Sequence, residues 1–232
     1  MSASQSPTSR AKEQLSRERI VDAAVRLADA EGMRAVTMRR VADELGFEAM
    51  SLYHHVADKG ALLAGMAEVI VGEVAMRGAD IRHDDWRDTV RARCLAARGI
   101  MLDHPWAPGL ISQQTESPVT AFMLFEELVA TLIDAGFDYD LAHRAIHSFG
   151  SLVLGFTNEL FDPDPSIDEE IDEQAMLAMA AGMPHLLQLA QMGPHESDGS
   201  LSTCDTQAEF EFTVSLIVDG LEARRAALPQ DG

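Results

Sequence analysis

Apolar residues first fall into helical order at Ile20, Ala23, Ala24, Leu27 and Ala28, spaced by three and four as on one face of a helix. Ser16 offers an N-cap oxygen and Gly32 a stop, so the pattern predicts a helix from about 16 to 31. A shorter run follows. Thr37 caps it, Met38, Val41, Ala42 and Leu45 form its inward side, and Gly46 permits the left-handed backbone that ends it. A third helix starts almost at once, with Phe47, Leu52 and Val56 apolar and Ala49, Met50, Ser51, Tyr53 and His54 left for solvent or a partner. Leu62, Leu63, Met66, Val69 and Ile70 then mark a longer helix to about Met76.

The rest of the chain keeps the helical period. After a loop near Gly78 to His83, Asp84 or Asp85 can cap a helix through DDWRDTVRARCLAARGIMLDHPW, which Pro105 and Pro108 break. A short apolar turn through Leu110 and Ile111 and the polar loop SQQTESP lead to a helix over Val119 to Ala135, stopped by Gly136. From Asp140 to about Leu160, apolar or small residues occur nearly all round, the mark of a helix buried on more than one side. Thr206 to Ala226 repeats that situation. Between these two lie an acidic loop DPDPSIDEEIDE, a Met-rich helix AMLAMAAGM, a second piece started by Pro184, and the polar stretch GPHESDGSLSTCD. The fold class is all-α: an arm over 1–15, expected to be disordered, a helical head over 16–76 and a helical body over 77–228.

Two short helices joined by a tight glycine turn form a helix-turn-helix, whose second helix enters the major groove while the first crosses the backbone. Charge complicates that reading, because a pI near 4.6 argues by itself against a nucleic-acid binder. The charge is unevenly placed. Residues 1–60 hold nine Lys or Arg against nine Asp or Glu, so the totals of 18 and 38 leave nine against 29 for the remainder, and the net −20 lies there. Only the neutral head is suited to phosphates, and the acidity of the body either serves solubility alone or keeps that body off DNA.

The order Thr37, Arg39, Val41-Ala42, Leu45-Gly46, Ser51-Leu52-Tyr53-His54-His55-Val56 and Lys59 resembles the DNA-binding domain of the TetR family of one-component transcriptional repressors. Leu-Tyr-x-His-Val-x-x-Lys resembles the branch near the tetracycline repressor, strongly over about residues 16 to 75. The body is similar more loosely. The resemblance implies a homodimer reading palindromic double-stranded operator DNA, with the 140–160 and 206–226 helices of two subunits forming a four-helix bundle. It also implies release by a small-molecule inducer. The DNA-binding residues expected are Thr37, Arg39, Ala49, Met50, Ser51, Tyr53, His54 and Lys59. Arg39 carries a donor fork suited to guanine O6 and N7, and the resemblance puts it at a base-reading position. Thr37, Ser51 and Tyr53 suit phosphates, and Lys59 adds a positive charge. Ala49 and Met50 offer apolar contacts such as a thymine methyl, and the resemblance places His54 against the backbone. His55 is either a phosphate donor or a packed histidine. Arg40 is either a contact or a solvent-facing charge, and Arg10 and Lys12 of the arm either reach the DNA or have no role.

Candidate ligand-lining residues are Met101, His104, Trp106, Leu110, Phe122, Phe125, His147, Phe149, Ser151, Phe156 and Met179, an apolar set with a few polar handles. Each has core packing as its alternative. Glu159 falls about where the tetracycline repressor has a carboxylate used through water in magnesium-drug binding, but Ser151 stands at a family histidine position. That departure predicts a largely apolar inducer rather than the magnesium-drug pair. His143 and His147, four apart, read as a metal or ligand pair or as ordinary helix histidines. No cofactor and no metal site is expected.

Cys94 and Cys204 are too few and too far apart for a disulfide framework or zinc motif and read as free thiols of a cytoplasmic protein. No leader-like opening and no 18-residue apolar run occurs, so no membrane role is expected. An enzyme is disfavoured by the absence of G-x-S-x-G, H-E-x-x-H, Walker and G-x-G-x-x-G patterns. A head that binds protein instead of DNA is the other alternative, against which stand Arg39, Tyr53 and Lys59.

Overall fold

In a computed structural model, residues 14–156, 182–185, 188 and 206–228 are described. Most of the arm, the acidic loop, the Met-rich segment up to residue 181 with Met179, Glu159 and the stretch carrying Cys204 lie outside them. The described residues contain helices and no strand: α1 (Arg17–Glu31), α2 (Met38–Leu45), α3 (Ala49–Leu52), α4 (Lys59–Ala79), α5 (Trp86–Asp103), α6 (Ala107–Ser112), α7 (Val119–Asp134), α8 (Tyr139–Gly155) and α9 (Thr206–Ala226). They fall into two compact units. One runs through Ala75 and is taken up again over Asp103–Phe122; the other comprises Met76–Leu102 and the chain from Met123 onward.

The first unit is assembled by caps and a small core. Ser16 accepts a hydrogen bond from the Arg19 backbone N–H at 3.3 Å, and Gly32, at φ 78°, ends α1 with its N–H on the Ala28 carbonyl. Ile20, Ala23, Ala24, Leu27 and Ala28 are all buried, as their spacing predicts, and so are Val41, Leu52, Val56, Leu62, Met66 and Ile70. Gly46 takes the left-handed conformation at φ 70° and turns the chain from α2 to α3. Gly65 lets α4 approach α1 closely, because a Cβ there would stand 2.8 Å from Val21 Cγ2. Asp29, near the end of α1, accepts from Trp106 Nε1 and from His104 Nδ1, each at 2.7 Å, and His104 Nε2 lies 3.5 Å from Glu73. Glu68 of α4 accepts from the backbone N–H groups of Val119 and Thr120 at 2.9 and 3.0 Å, satisfying two orphan donors at the start of α7.

Several boundaries differ from those the periodicity predicts, among them the end of α8 at Gly155 rather than about Leu160. The segment through Leu110 and Ile111 is a short helix rather than a turn, because Pro108 sits in the first turn of α6, where its missing N–H interrupts no helical bond. α4 runs to Ala79, past the expected Met76.

The second unit buries Trp86, Val90, Cys94, Leu132, Phe137, Leu141, Ala145, Phe149, Leu152, Phe210, Val214, Val218 and Leu221 in one apolar cluster. Asp138 caps α8 by accepting from the Leu141 N–H at 2.7 Å. Arg93 fastens the loop before α5 to α7 through the Ile81 carbonyl at 3.2 Å, the Thr131 hydroxyl at 3.3 Å and the Glu127 carboxylate at 3.2 Å. Arg225 binds the Ala135 carbonyl at 3.0 Å and Glu222, and its hydrogen bonds are the main cause holding the Glu222 carboxyl below the ordinary range. Burial pushes the Cys94 thiol up to about 12, so it is a packed, un-ionised side chain. No helix among the described residues is long and apolar enough to cross a membrane.

Candidate nucleic-acid interface

α2 and α3 present the expected set on the surface of the first unit. Thr37 Oγ1 accepts from the Arg40 backbone N–H at 3.2 Å, which caps α2 and leaves the hydroxyl hydrogen available for another acceptor. The side chains of Arg39 and Arg40, adjacent in sequence, have different fates. Arg40 is committed to an ion pair with Glu31 of α1, whereas Arg39 is exposed and has no carboxylate partner among the described residues.

α3 is only one turn long. Its backbone continues as turns in which the His55 and Val56 N–H groups both bond the Leu52 carbonyl at 2.9 Å. Leu52 and Val56 point inward and are fully buried or nearly so, and this fixes what faces outward. Met50 is 72% exposed and Tyr53 44%, while His54 and His55 are both exposed, so His55 is not a packed histidine. Ala49 and Ser51 are half-buried. Asp58 caps α4 through the Ala61 N–H at 2.8 Å and places exposed Lys59 at its first position. The eight expected residues therefore lie on α2 and its cap, on α3 and the turn that follows it, and at the start of α4, with their exposed members free of side-chain hydrogen bonds to the described residues, apart from the capping oxygen of Thr37.

Residues 20–66 match the family described as bacterial regulatory proteins, tetR family, and residues 79–225 match the tetracyclin repressor-like C-terminal domain. The chain belongs to the TetR family. It is 38% identical over 93% of its length to an HTH-type transcriptional regulator of Saccharopolyspora erythraea, covering 88% of that protein. It is 30% identical over 93% of its length to the HTH-type transcriptional repressor DrrR1 of Streptomyces coeruleorubidus, covering 80% of it. Among solved structures, a possible TetR family transcriptional regulator from Streptomyces coelicolor A3(2) superposes with a TM-score of 0.72 at 29% identity, covering 89% of this chain and 98% of that one. As a member of this family the protein is a DNA-binding transcriptional regulator.

The residues expected to line the other site fall within the match to the TetR C-terminal domain, and the described ones divide between the two units. Leu110 is buried in the first unit, where His104 and Trp106 are tied to Asp29 and Phe122 lies on the surface. In the second unit Met101 and Phe149 are buried, Phe156 packs on the core cluster and Phe125 is 38% exposed. His147 and Ser151 are exposed on α8. The reason is geometric: positions i and i+2 of a helix are about 200° apart, so Phe149 faces the core while His147 and Ser151 face away from it. His143 and His147 stack edge to face at 4.7 Å, with no third metal-ligating side chain grouped with them among the described residues. An open cleft of about 580 Å³ in this unit is lined by residues around Trp86, Thr131 and Arg225, none of them from the expected set.

One residue of this unit escaped the pattern reading. Arg98 of α5 is 3% exposed. The signal was present in the sequence: Val90, Cys94, Ala97 and Met101 form the buried stripe of α5, and Arg98 sits inside that stripe.

Proposed function

We infer that this regulator is a homodimeric repressor that occupies a palindromic operator and leaves it when a small molecule binds the C-terminal region. The observation that carries the DNA half is the exposed cluster of Arg39, Tyr53, His54 and Lys59 on the helix-turn-helix, whose side chains have no other partner among the described residues. Groups of this chemistry, held on short helices by buried Leu52 and Val56, suit an anionic backbone and the edges of bases. Arg39 reads a guanine through two N–H donors. Thr37, Ser51, Tyr53, His54 and Lys59 set the register on the phosphates, with Ala49 and Met50 against apolar base edges.

Dimerisation is supported by the outer faces of α8 and α9. On α9, Phe212 and Leu216 are 60% and 55% exposed on the side opposite the buried Phe210, Val214 and Val218. On α8 the corresponding side carries His143, His147 and Gly150. A second copy covering both faces buries the phenyl and leucyl groups and brings two heads to one operator. The inducer acts only as far as it binds one arrangement of the dimer better than the other.

Comparing Arg39→Ala with Arg40→Ala on one operator duplex tests the assignment. Arg39→Ala is expected to lose about 1–3 kcal/mol of binding, roughly fivefold to a hundredfold, and to relax the preference at one base position. Arg40→Ala, which removes an exposed ion pair, is expected to change affinity little. Equal effects of the two substitutions would contradict the base-reading role of Arg39.

A further inference from the structure

The four arginines of α5 separate into three that are paired and one that is not. Arg87, Arg91 and Arg93 are partly exposed, and each lies within ion-pair distance of a carboxylate: Asp85, Asp88 and Glu127 respectively. Arg98 is more deeply buried than any of them, and unlike them it has no ion pair with a carboxylate of the described residues. Its Nη1 donates to Gln207 Oε1 at 3.0 Å, its Nε is buried without an acceptor, and its guanidinium carbon lies 5.2 Å from the centre of the Phe210 ring. Gln207 passes the interaction on, donating through Nε2 to Glu211 at 2.6 Å, so the nearest acid in this chain of contacts is one amide removed.

A guanidinium offers five donors in a planar fork, and taking its charge out of water is costly unless an anion meets it. One amide oxygen and one ring face meet it only in part. Apart from Gln207, the side chains packed about it are apolar: the buried Phe210 ring, with Phe156 edge-on to it at 5.6 Å, and buried Met101 three residues along α5. An apolar floor with one buried, under-matched cation is complementary to a small molecule with a hydrophobic body and an acidic group.

We propose that Arg98 is the anion-binding residue of the effector site and that the effector is a small organic acid with an apolar body. This rests on the reading of the protein as ligand-responsive. It also gives the effector a source of differential affinity, since pairing Arg98 favours whichever arrangement of the body admits the acid.

The test uses the full chain and two fluorescent probes, anilinonaphthalene sulfonate and its uncharged counterpart phenylnaphthylamine. Arg98→Met is expected to weaken the sulfonate about tenfold or more and to leave the neutral probe within about twofold, while Arg98→Lys retains most of the sulfonate binding. Melting without ligand supplies a second readout. Because Arg98→Met removes a poorly compensated buried charge and keeps similar bulk, its melting temperature is expected to equal or exceed that of the wild type. The proposal is overturned by equal loss of both probes, by undiminished sulfonate binding, by failure of the wild-type protein to bind the sulfonate, or by a marked drop in melting temperature, which would show that Arg98 has a structural counterion. None of these readouts requires DNA, so failure of operator binding or of ligand-induced release would count against the regulator reading separately.

Discussion

Phe210→Ala is expected to remove about 3–5 kcal/mol of stability, the usual cost of truncating a buried phenylalanine. The ring is fully buried, the largest such side chain among the described residues. It belongs to the cluster shared by α5, α7, α8 and α9, meets Phe156 edge to face, and lies under the Arg98 guanidinium. Alanine would leave a cavity beside a buried charge and give up the ring's favourable quadrupole as well. Urea titration at matched protein concentration should show an earlier midpoint with little change in slope. Phe210→Leu, which keeps most of the apolar burial, should fall between the two. An unfolding free energy for Phe210→Ala within about 0.5 kcal/mol of wild type, the range of an ordinary surface substitution, would mean that α9 does not pack as described.

The pair Phe212→Asp and Leu216→Asp, introduced together, is expected to leave each subunit folded and to separate the dimer. Both side chains point away from the core cluster, so their replacement removes nothing from it. Two carboxylates on each copy would have to be desolvated at a face where the partner brings two more, and burying unpaired charge is strongly unfavourable. Light scattering should then report a mass near 25.3 kDa, that of one chain. Operator affinity should fall about a hundredfold or more, because two linked heads gain that order of avidity over one. A variant that stays dimeric with unchanged affinity would place the interface elsewhere.

Much of this was readable from the residues. Ser16, Thr37 and Gly46 act as the caps and stop that their chemistry suggests, and α9 has the predicted limits of Thr206 and Ala226. The order Thr37 to Lys59 carried the family because each residue there answers to a local demand: a cap, a buried stripe, a left-handed turn, an exposed donor. Other features depend on contacts distant in sequence. His104 and Trp106 looked like polar handles for a ligand, yet both are bonded to Asp29, some 75 residues earlier, which no periodicity indicates. Pro108 read as a breaker because the pattern does not say that a new helix begins one residue before it. The ligand candidates of α8 scattered for a reason that was legible: residues 147, 149 and 151 alternate between faces of a helix. Arg98 was equally visible as a charge inside an apolar stripe, but its lack of a carboxylate partner could be known only from the fold.

The central claim, that the neutral head of this acidic chain reads DNA as a dimer, is tested most directly by selecting bound sequences from a random duplex pool at near-physiological salt, using protein that has been unfolded, washed free of ligand and refolded. The account predicts an enriched palindrome with half-sites about one helical turn apart, and an affinity for it that falls with salt as phosphate contacts require. Recovery of no sequence by the refolded dimer would contradict it.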